Sequence, residues 1–202
     1  MQAAIGVYRT GNSRFFVDGN FDKVADLKVT FGLAGDIGML GDLTGSGARH
    51  PIVFNNGIWY FDSSRDGVYD RIVYFGGIGD KPLIADMDGD GKDDLVVYRN
   101  GVSYADTDRD GSADVTVGFG GVPGDRPLLA DLNGDGRDDL VVFRGGAWFV
   151  STAQDGGANL VFAFGAPGDV PVAGDVDGDG VLQPPEQNVP VVAIGATFQK
   201  NP

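Results

Sequence analysis

The sequence predicts an all-β protein, a β-propeller built from short four-stranded antiparallel blades. Three markers repeat along the chain with a period of about 44 residues. Phe-Gly begins at Phe31, Phe75, Phe119 and Phe164, a Gly-Asp pair follows each of these, and an Asp that opens a Gly-rich loop comes next. Glycine (34 residues), proline (10 residues) and Asp favour turns, whereas the helix former Glu occurs once, at Glu186. We therefore expect repeated strands and very little helix.

The unit from residue 80 to residue 120 shows how one repeat is expected to fold. Four apolar runs rich in Val, Tyr and Phe alternate with Gly, Asn and Asp, which predicts four short strands. The runs are Pro82–Ala85, Leu95–Arg99, Val102–Ala105 and Val115–Phe119. Asn100-Gly101 between the second and third runs is a typical hairpin turn. A β-solenoid and an open array of small sheets are alternatives, but four hairpin-linked strands per repeat favour the propeller.

The whole chain, residues 1–202, is predicted to form a single repeat domain. It contains a partial unit at 5–32, complete units at 36–76, 80–120 and 125–165, and a C-terminal partial unit at 169–198. Four blades are expected, with five as the alternative. The opening unit lacks a first strand, which Val170–Gly174 would supply if the ring closes end to end. Val189–Phe198 resembles a further second strand. Three interpretations therefore stay open: four blades with a C-terminal tail, five blades of which one is divided between the termini, or a piece of a longer array.

Composition narrows the range of partners. The 29 acidic and 15 basic residues give a formal net charge of −14, which repels phosphate backbones and anionic lipid. Nucleic acid and membrane surfaces are therefore not expected as partners. No run approaches the roughly 18 apolar residues of a membrane span, and the N-terminus has no signal-sequence pattern. Cysteine is absent, which excludes disulfides and Cys-based zinc sites.

Asp-rich loops between the first and second strands predict metal sites. In the loop that begins at Asp86, carboxylates stand at positions 1, 3, 5 and 9, glycine stands at position 6, and the carbonyl of Lys92 would be the ligand from position 7. Four carboxylates so close together repel one another unless a cation lies among them. Asp, Asn and Gly also form turns without metal, but the spacing recurs along the chain. Hard oxygen ligands without His or Cys favour Ca2+, and we expect several such ions.

The predicted ligands fall into two series. The first series comprises Asp86, Asp88, Asp90, Lys92 and Asp94; Asp131, Asn133, Asp135, Arg137 and Asp139; and Asp175, Asp177, Asp179, Val181 and Glu186. The second series, between the third and fourth strands, comprises Asp106, Asp108, Asp110 and Asp114, with weaker copies at Asp62, Asp66 and Asp70 and at Asp18, Asn20, Asp22 and Asp26. The loops at Asp42 and Ser151 have lost most carboxylates and are expected to be empty. The Asp residues of the Gly-Asp corners, Asp36, Asp80, Asp125 and Asp169, are expected to hydrogen-bond a turn.

These motifs carry a family resemblance. The order Phe-Gly, Gly-Asp and Asp-x-Asp-x-Asp-Gly-x-x-Asp, from about Ile5 to Asp179, resembles the FG-GAP or VCBS repeat of integrin α-subunit propellers and of many bacterial surface proteins. The resemblance implies a calcium-binding propeller whose ligands include Asp86, Asp88, Asp90 and Asp94, and Asp131, Asn133, Asp135 and Asp139. The units are shorter than integrin blades, and the second loop series is more like the bacterial repeats.

Groups suited to catalysis or to sugar binding are few. His50 is the only histidine; it lies in a loop that has lost its carboxylates, and we expect it to be exposed and to have no catalytic role. The carboxylates all belong to turns or calcium loops, so no enzyme is expected. Trp59 and Trp148 share one register of the third strand with Phe15 and Ser103. This register favours core between blades, and the alternative is a ligand-binding groove for carbohydrate.

The sequence as a whole predicts a calcium-stabilised, non-catalytic interaction or adhesion module of a secreted or cell-surface protein. Its partner would be a protein or a carbohydrate at the cell surface. The alternative is a lectin-like propeller that binds carbohydrate through aromatic pockets between blades. Exposure of the two Trp side chains would favour the lectin, and their burial would favour the scaffold.

Overall fold

A computed structural model describes residues 5–20 and 22–173, and every regular element in these residues is a β-strand. The strands form four small antiparallel sheets arranged as a four-bladed β-propeller, which confirms the predicted all-β class and architecture. No helix that is long and apolar enough to cross a membrane occurs in the part of the chain that the structure describes.

Each blade is a meander in which consecutive strands are hydrogen-bonded neighbours. The first blade contains β1 (Ile5–Arg9), β2 (Arg14–Asp18) and β3 (Leu27–Thr30). The second contains β4 (Ile37–Gly41), β5 (His50–Asn55), β6 (Ile58–Phe61) and β7 (Arg71–Tyr74). The third contains β8 (Lys81–Ala85), β9 (Asp94–Arg99), β10 (Val102–Asp106) and β11 (Val115–Gly118). The fourth contains β12 (Arg126–Ala130), β13 (Asp139–Arg144), β14 (Ala147–Ser151) and β15 (Leu160–Ala163).

The hairpin between the second and third strands follows from its residues. Asn100 and Gly101 both have positive φ angles, 51° and 88°, as a two-residue turn of this type requires. The turn sets the register in which Tyr98 lies opposite Ser103. Phe54 lies opposite Trp59 and Phe143 opposite Trp148 in the same way, so both tryptophans share the register of Ser103, as the sequence predicts.

The hydrophobic core lies between blades. One buried cluster joins Trp59 and Val73 of the second blade to Leu95 and Val97 of the third, and a second cluster joins the third blade to the fourth. At each of these junctions a glycine of the Phe-Gly motif makes room for the next blade. A Cβ atom at Gly76 would lie 2.8 Å from a methyl carbon of Val97, so only glycine fits here.

The meander separates two faces of the molecule. First strands run from the Phe-Gly corners toward the Asp-rich loops, second strands return to the hairpin tips, and third and fourth strands repeat this path. The described loops of both Asp series therefore lie at one end of the strands. The hairpin tips and the Gly-Asp corners lie at the other end.

The first blade has three strands among the described residues. Ile5 and Val7 of β1 are 57% and 60% exposed, whereas Val53, Val97 and Val142, which match Val7 in the other second strands, are buried. Residues 170–173 form no strand in the structure. The predicted closure by Val170–Gly174 is thus not formed by its described part, and Gly174 and Val189–Phe198 lie outside the described residues.

Candidate metal sites

The backbone of the Asp86 loop is organised by its own carboxylates. Asp86 accepts hydrogen bonds from the backbone N–H groups of Gly89 at 2.7 Å and Gly91 at 2.8 Å. Asp88 accepts from the N–H of Asp90 at 3.0 Å. Each of these turns uses an oxygen of a side chain to satisfy backbone groups two to five residues later, which is the usual role of Asp in tight loops.

The Asp131 loop repeats this arrangement in the next blade. Asp131 accepts from Gly134 at 2.7 Å and Gly136 at 2.9 Å, and Asn133 accepts from the N–H of Asp135 at 2.9 Å. Arg137 donates its N–H to Asp135 at 2.9 Å. The replacement of Asp by Asn at position 3 therefore preserves the loop backbone and removes one negative charge.

The position-9 carboxylates supply the sharpest sign of a missing partner. Asp94 and Asp139 are fully buried. One oxygen of each, Oδ2, accepts a backbone N–H at 2.8 Å, from Met87 and Leu132 respectively. The other oxygen, Oδ1, is buried and has no hydrogen-bond partner in either residue. A buried carboxylate oxygen without a partner is costly, because desolvation is not compensated.

The pKa values of these two carboxyl groups also indicate that their ionised forms lack a partner. Burial raises the pKa of Asp94 to about 7, and the charges of Asp88 and Asp86 act in the same direction. Burial also raises the pKa of Asp139 to about 6, with Asp135 and Asp131 adding to the effect. Both shifts mean that the ionised form needs a positive charge close by, which a bound cation would supply.

Two groups of carboxylates converge tightly enough to hold an ion. Oxygens of Asp86, Asp88 and Asp94 lie within 4.8 Å of one another, as do oxygens of Asp106, Asp108 and Asp110. The donor set is all oxygen, which fits Ca2+. Asp90, also a predicted ligand, stands apart from the first group, and its carboxylate contacts the ammonium of Lys92.

The second series has the same internal scheme as the first. Asp106 is fully buried and accepts from the N–H groups of Asp110 at 3.0 Å and Gly111 at 2.8 Å. Asp114 at position 9 accepts from Thr107 at 2.8 Å. Unlike Asp94 and Asp139, Asp114 is exposed. This loop therefore has the converging carboxylates of a metal site without a buried closing oxygen.

The remaining predicted loops are less closely assembled. Carboxylates of the Asp131, Asp62 and Asp18 loops form no group of three within 4.8 Å among the described residues. In the Asp18 loop, the amide of Asn20 occupies the space between carboxylates by donating to Asp22 and Asp26 at 3.3 and 3.4 Å. The predicted ligands Asp175, Asp177, Asp179, Val181 and Glu186 lie outside the described residues.

The Asp42 loop differs from the others. Asp42 accepts from the N–H groups of Thr44 and Ser46, both at 3.2 Å, and also from that of Gly47. Its burial opposes ionisation, but these donors together hold the pKa of Asp42 below its usual range. The hydroxyls of Thr44 and Ser46 lie 2.8 Å apart and bond to each other. The loop thus satisfies its one carboxylate internally.

The expectation that His50 is exposed was wrong. His50 occupies position 9 of the Asp42 loop, the place of Asp94 and Asp139, and is 7% exposed, with Nδ1 buried and unpartnered. In the second, third and fourth blades this position is buried because it opens the second strand, which packs between neighbours. The sequence contains the signal, since His50 aligns with Asp94 in the repeat.

Two further acidic residues connect the loops of neighbouring blades, and the sequence analysis assigned no separate role to either. The carboxylate of Asp93, at position 8, accepts the backbone N–H of Asp42 in the preceding blade at 2.6 Å. Asp138 does the same for Asp86 at 2.8 Å. The presence of Asp at position 8 in both complete loops was the available signal. Its partner, 51 or 52 residues away, becomes apparent only when blades pack together.

The Gly-Asp corners at the opposite face hold turns, as expected. Asp80 accepts from the N–H of Gly77 at 2.8 Å and Asp125 from that of Val122 at 3.0 Å, and Asp36 and Asp169 make equivalent bonds. The structure adds a partner that was not predicted. Arg99 makes two bonds of 2.6 Å to Asp80, and Arg144 bonds Asp125 at 2.6 and 3.0 Å. The bond from Arg99 holds the pKa of Asp80 below its usual range.

Both tryptophans lie in the core. Trp59 is fully buried and Trp148 is 6% exposed. Their indole N–H groups donate to the backbone carbonyls of Phe75 and Phe164 at 2.9 and 2.8 Å. Neither ring presents a free face to solvent, so the structure favours the core interpretation over a carbohydrate-binding groove at these positions.

Comparison with known proteins supports the fold assignment. No protein-family model and no curated protein matches the sequence. Among solved structures, the chain is similar to an Agrocybe aegerita lectin that recognises non-reducing terminal N-acetylglucosamine, with a TM-score of 0.53 and 22% identity over 75% of this chain and 46% of the lectin. It is also similar to the V. cholerae biofilm matrix protein Bap1, with a TM-score of 0.39 and 16% identity over 79% of this chain and 26% of that protein. The chain thus spans less than half of either structure, and the likeness to the lectin concerns the fold alone.

Proposed function

We propose that the chain is a calcium-stabilised, non-catalytic interaction or adhesion module of a secreted or cell-surface protein, built from repeats of the FG-GAP or VCBS type. The observation that carries the proposal is the pair of buried, unpartnered Oδ1 atoms of Asp94 and Asp139. A calcium ion in each loop would give these oxygens a partner and would neutralise the carboxylates around them.

The residues that would hold an ion in the third blade are Asp86, Asp88 and Asp94, whose oxygens already converge. Asp90 and the carbonyl of Lys92 would complete the shell if the Lys92 ammonium moves away from Asp90. Asp131, Asn133, Asp135, the carbonyl of Arg137 and Asp139 would serve in the fourth blade, and Asp106, Asp108 and Asp110 in the second series. The ion supplies positive charge to a set of loops that otherwise concentrates negative charge at one end of the propeller.

The non-catalytic part of the proposal rests on how the reactive side chains are used. His50 is buried in the wall of a loop, where a substrate would not reach it. The carboxylates of the loops accept backbone N–H groups or converge on the candidate ion positions. No arrangement of nucleophile, base and orienting group emerges from the described residues.

Thermal unfolding in calcium tests the proposal directly. Binding to the folded state raises the free energy of unfolding by about 2.7 kcal/mol when the free ligand is at 100 times its Kd. We expect calorimetry to show a clearly higher Tm in millimolar calcium than in chelator, with a much smaller rise in magnesium. An identical Tm with calcium and with chelator would refute the calcium proposal.

Carbohydrate binding is the second candidate function, because the chain shares its fold with a lectin. The buried Trp59 and Trp148 no longer support it, but Tyr69 and Tyr74 are 54% and 70% exposed. Tyr69 also packs edge-on against Tyr60, with ring centroids 5.8 Å apart, which fixes its orientation. A glycan array with the unaltered chain and with Tyr74→Ala and Tyr69→Ala tests this function. If glycan binding is unchanged in both variants, Tyr69 and Tyr74 are not part of the binding site. If the unaltered chain binds no glycan, a protein partner is favoured.

A further inference from the structure

We propose that Asp138 is a positioning residue for the calcium loop of the neighbouring blade, so that the Asp86 and Asp131 loops bind calcium as a coupled pair. The inference rests on the proposed calcium function and adds to it a specific connection between two sites. Asp138 itself is not a ligand of the Asp86 loop. It acts by holding the residue that opens that loop.

Asp138 holds the Asp86 backbone from both sides. Its own N–H donates to the carbonyl of Asp86 at 2.6 Å, and its Oδ2 accepts the N–H of Asp86 at 2.8 Å. Both backbone polar groups of Asp86 are thereby fixed by one residue of another blade. The orientation of the Asp86 carboxylate, which is the position-1 ligand, depends on this backbone.

Asp138 is adjacent in sequence to the closing ligand of its own loop. Asp139 carries the buried, unpartnered Oδ1 that a calcium ion in the Asp131 loop would satisfy. Two consecutive residues therefore serve two different loops, one by coordination and one by positioning. An ion that orders Asp139 also orders Asp138, and through it the opening residue of the Asp86 loop.

A third contact reinforces the same connection. The side-chain amide of Gln154, from the loop after β14, donates to the carbonyl of Asp138 at 2.8 Å and to that of Met87 at 3.4 Å. Met87 follows Asp86 and donates its N–H to the closing ligand Asp94. Gln154 thus bridges the two loops at the residues that flank their ligands.

Among the residues that the structure describes, the same pair of bonds occurs once more, where it joins a different kind of loop. Asp93 makes matching bonds to Asp42, with its N–H donating to the Asp42 carbonyl at 2.8 Å and its Oδ2 accepting the Asp42 N–H at 2.6 Å. The Asp42 loop satisfies its carboxylate without an ion. Only the Asp138 tie joins two loops that each contain a buried, unpartnered closing oxygen within the described residues.

Three glycine amides allow each loop to be followed separately in the intact chain. The N–H groups of Gly91, Gly136 and Gly111 donate to the opening Asp of the Asp86, Asp131 and Asp106 loops at 2.8, 2.9 and 2.8 Å. Calcium titrations followed by 1H–15N NMR give one midpoint per loop. Gly111 is the internal control, because its loop is not joined to Asp138.

The principal variants are Asp138→Ala, which removes both the acceptor and the charge, and Asp138→Asn, which keeps an oxygen acceptor for the Asp86 N–H. Loss of a group that orients a metal ligand typically weakens affinity by about 10–100-fold. We expect Asp138→Ala to move the Gly91 midpoint to higher calcium by a factor in this range and to leave the Gly111 midpoint unchanged. Asp138→Asn should restore most of the Gly91 affinity.

Weakening the Asp131 site itself supplies an independent measurement. Asp139→Asn removes the charge of the closing ligand of the Asp131 loop and leaves Asp138 in place. Because an ion at Asp139 orders Asp138 and through it the backbone of Asp86, this variant should also weaken binding at Gly91, by less than Asp138→Ala does. Gln154→Ala, which removes only the bridging amide, should act in the same direction and keeps the test possible if Asp138→Ala does not fold.

The outcomes separate this inference from the proposed function. If Gly91, Gly136 and Gly111 do not respond to calcium in the unaltered chain, the calcium function itself fails. If all three respond but the Gly91 midpoint shifts no more than that of Gly111 in the Asp138, Asp139 and Gln154 variants, the coupling is overturned and the calcium function stands. A selective shift at Gly91 supports the coupling.

Discussion

The Asp42 and Asp86 loops occupy the same place in consecutive blades and use the same kind of backbone turn. In each, the opening Asp accepts several backbone N–H groups. They differ at positions 3, 5 and 9, where one has Thr44, Ser46 and His50 and the other has Asp88, Asp90 and Asp94. The backbone turn alone therefore does not call for an ion, since both loops form it.

The difference between the loops lies in which group is left without a partner at position 9: Nδ1 of His50 in the Asp42 loop and a carboxylate oxygen of Asp94 in the Asp86 loop. In the Asp42 loop the hydroxyls of Thr44 and Ser46 bond to each other, and the pKa of Asp42 is lowered despite its burial. In the Asp86 loop, a closing carboxylate is buried with one free oxygen, and burial raises the pKa of Asp94 to about 7. The need for a cation is thus created by burying a carboxylate at position 9, and three predictions test this conclusion.

The largest expected effect is a reversal of the pH dependence of stability by calcium. Burial raises the pKa of Asp94 to about 7 and those of Asp138 and Asp139 to about 6, whereas an exposed Asp titrates near 3.9. Without metal, the folded chain therefore binds more protons than the unfolded chain between these values. This contribution to stability in chelator is fully present below about pH 4 and is lost as the pH rises from there through 6 to 7.

Saturating calcium should invert this slope, because the ion competes with protons for the same carboxylates. We expect Tm in chelator to fall from pH 4.5 to pH 7.5, and Tm in calcium to rise over the same interval, as read by circular dichroism. Below about pH 4, Asp80 and Asp125, whose pKa values are lowered by bonds from Arg99 and Arg144, lose their contribution in both conditions. Parallel slopes with and without calcium would show that the buried carboxylates do not hold the ion.

The second prediction compares matched substitutions at the two loops. Asp94→Asn should abolish the part of the calcium stabilisation that comes from the Asp86 loop, about 2.7 kcal/mol at 100 times its Kd. In chelator the same substitution removes a buried negative charge, so stability should be unchanged or higher. Asp42→Asn, the control, should lower stability equally in calcium and in chelator.

Denaturant unfolding of the unaltered chain and of both variants, each in calcium and in chelator, gives the six free energies that are needed. The informative quantity is the change produced by calcium within each variant, which cancels any structural cost of the substitution itself. If calcium raises the free energy of unfolding equally in Asp94→Asn and in the unaltered chain, Asp94 is not a calcium ligand.

The strand boundaries and the positions of the Asp loops could largely be predicted from the sequence. The runs predicted for the third blade, such as Leu95–Arg99 and Val102–Ala105, agree within one residue with β9 and β10. Agreement is close because Asn100-Gly101 and the Asp loops mark the ends of the strands by local turn chemistry. The repeat made these local signals reliable, since the same boundary recurs in each blade.

The features that the sequence did not reveal depend on contacts between strands or blades. Arg99 meets Asp80 only because β8 and β9 pair in a particular register. His50 is buried because the second strand packs between neighbours, although polar loop residues around it suggest exposure. The role of Asp138 requires knowing that the loops of adjacent blades touch. Local sequence patterns carry no information about these contacts, because the partners are far apart in the sequence.

The smallest expected effect comes from rebuilding the Asp42 loop. Thr44→Asp, Ser46→Asp and His50→Asp together restore the carboxylates at positions 3, 5 and 9, on a backbone whose opening Asp already accepts the required N–H groups. Calcium modules with modest preorganisation bind at about 10⁻⁴–10⁻³ M. At calcium five times such a Kd, the new site should raise the free energy of unfolding by about 1 kcal/mol.

In chelator, the rebuilt chain should be less stable than the unaltered one, because three carboxylates then face Asp42 and the nearby Asp93 without a counter-ion. The single substitution His50→Asp is the matched control: it adds the buried carboxylate without the ligands at positions 3 and 5. It should be destabilising in chelator and gain little in calcium. Calorimetric titration should count one more ion in the triple variant than in the unaltered chain, and an unchanged count would mean that position 9 and its two companions do not suffice to make this loop bind calcium.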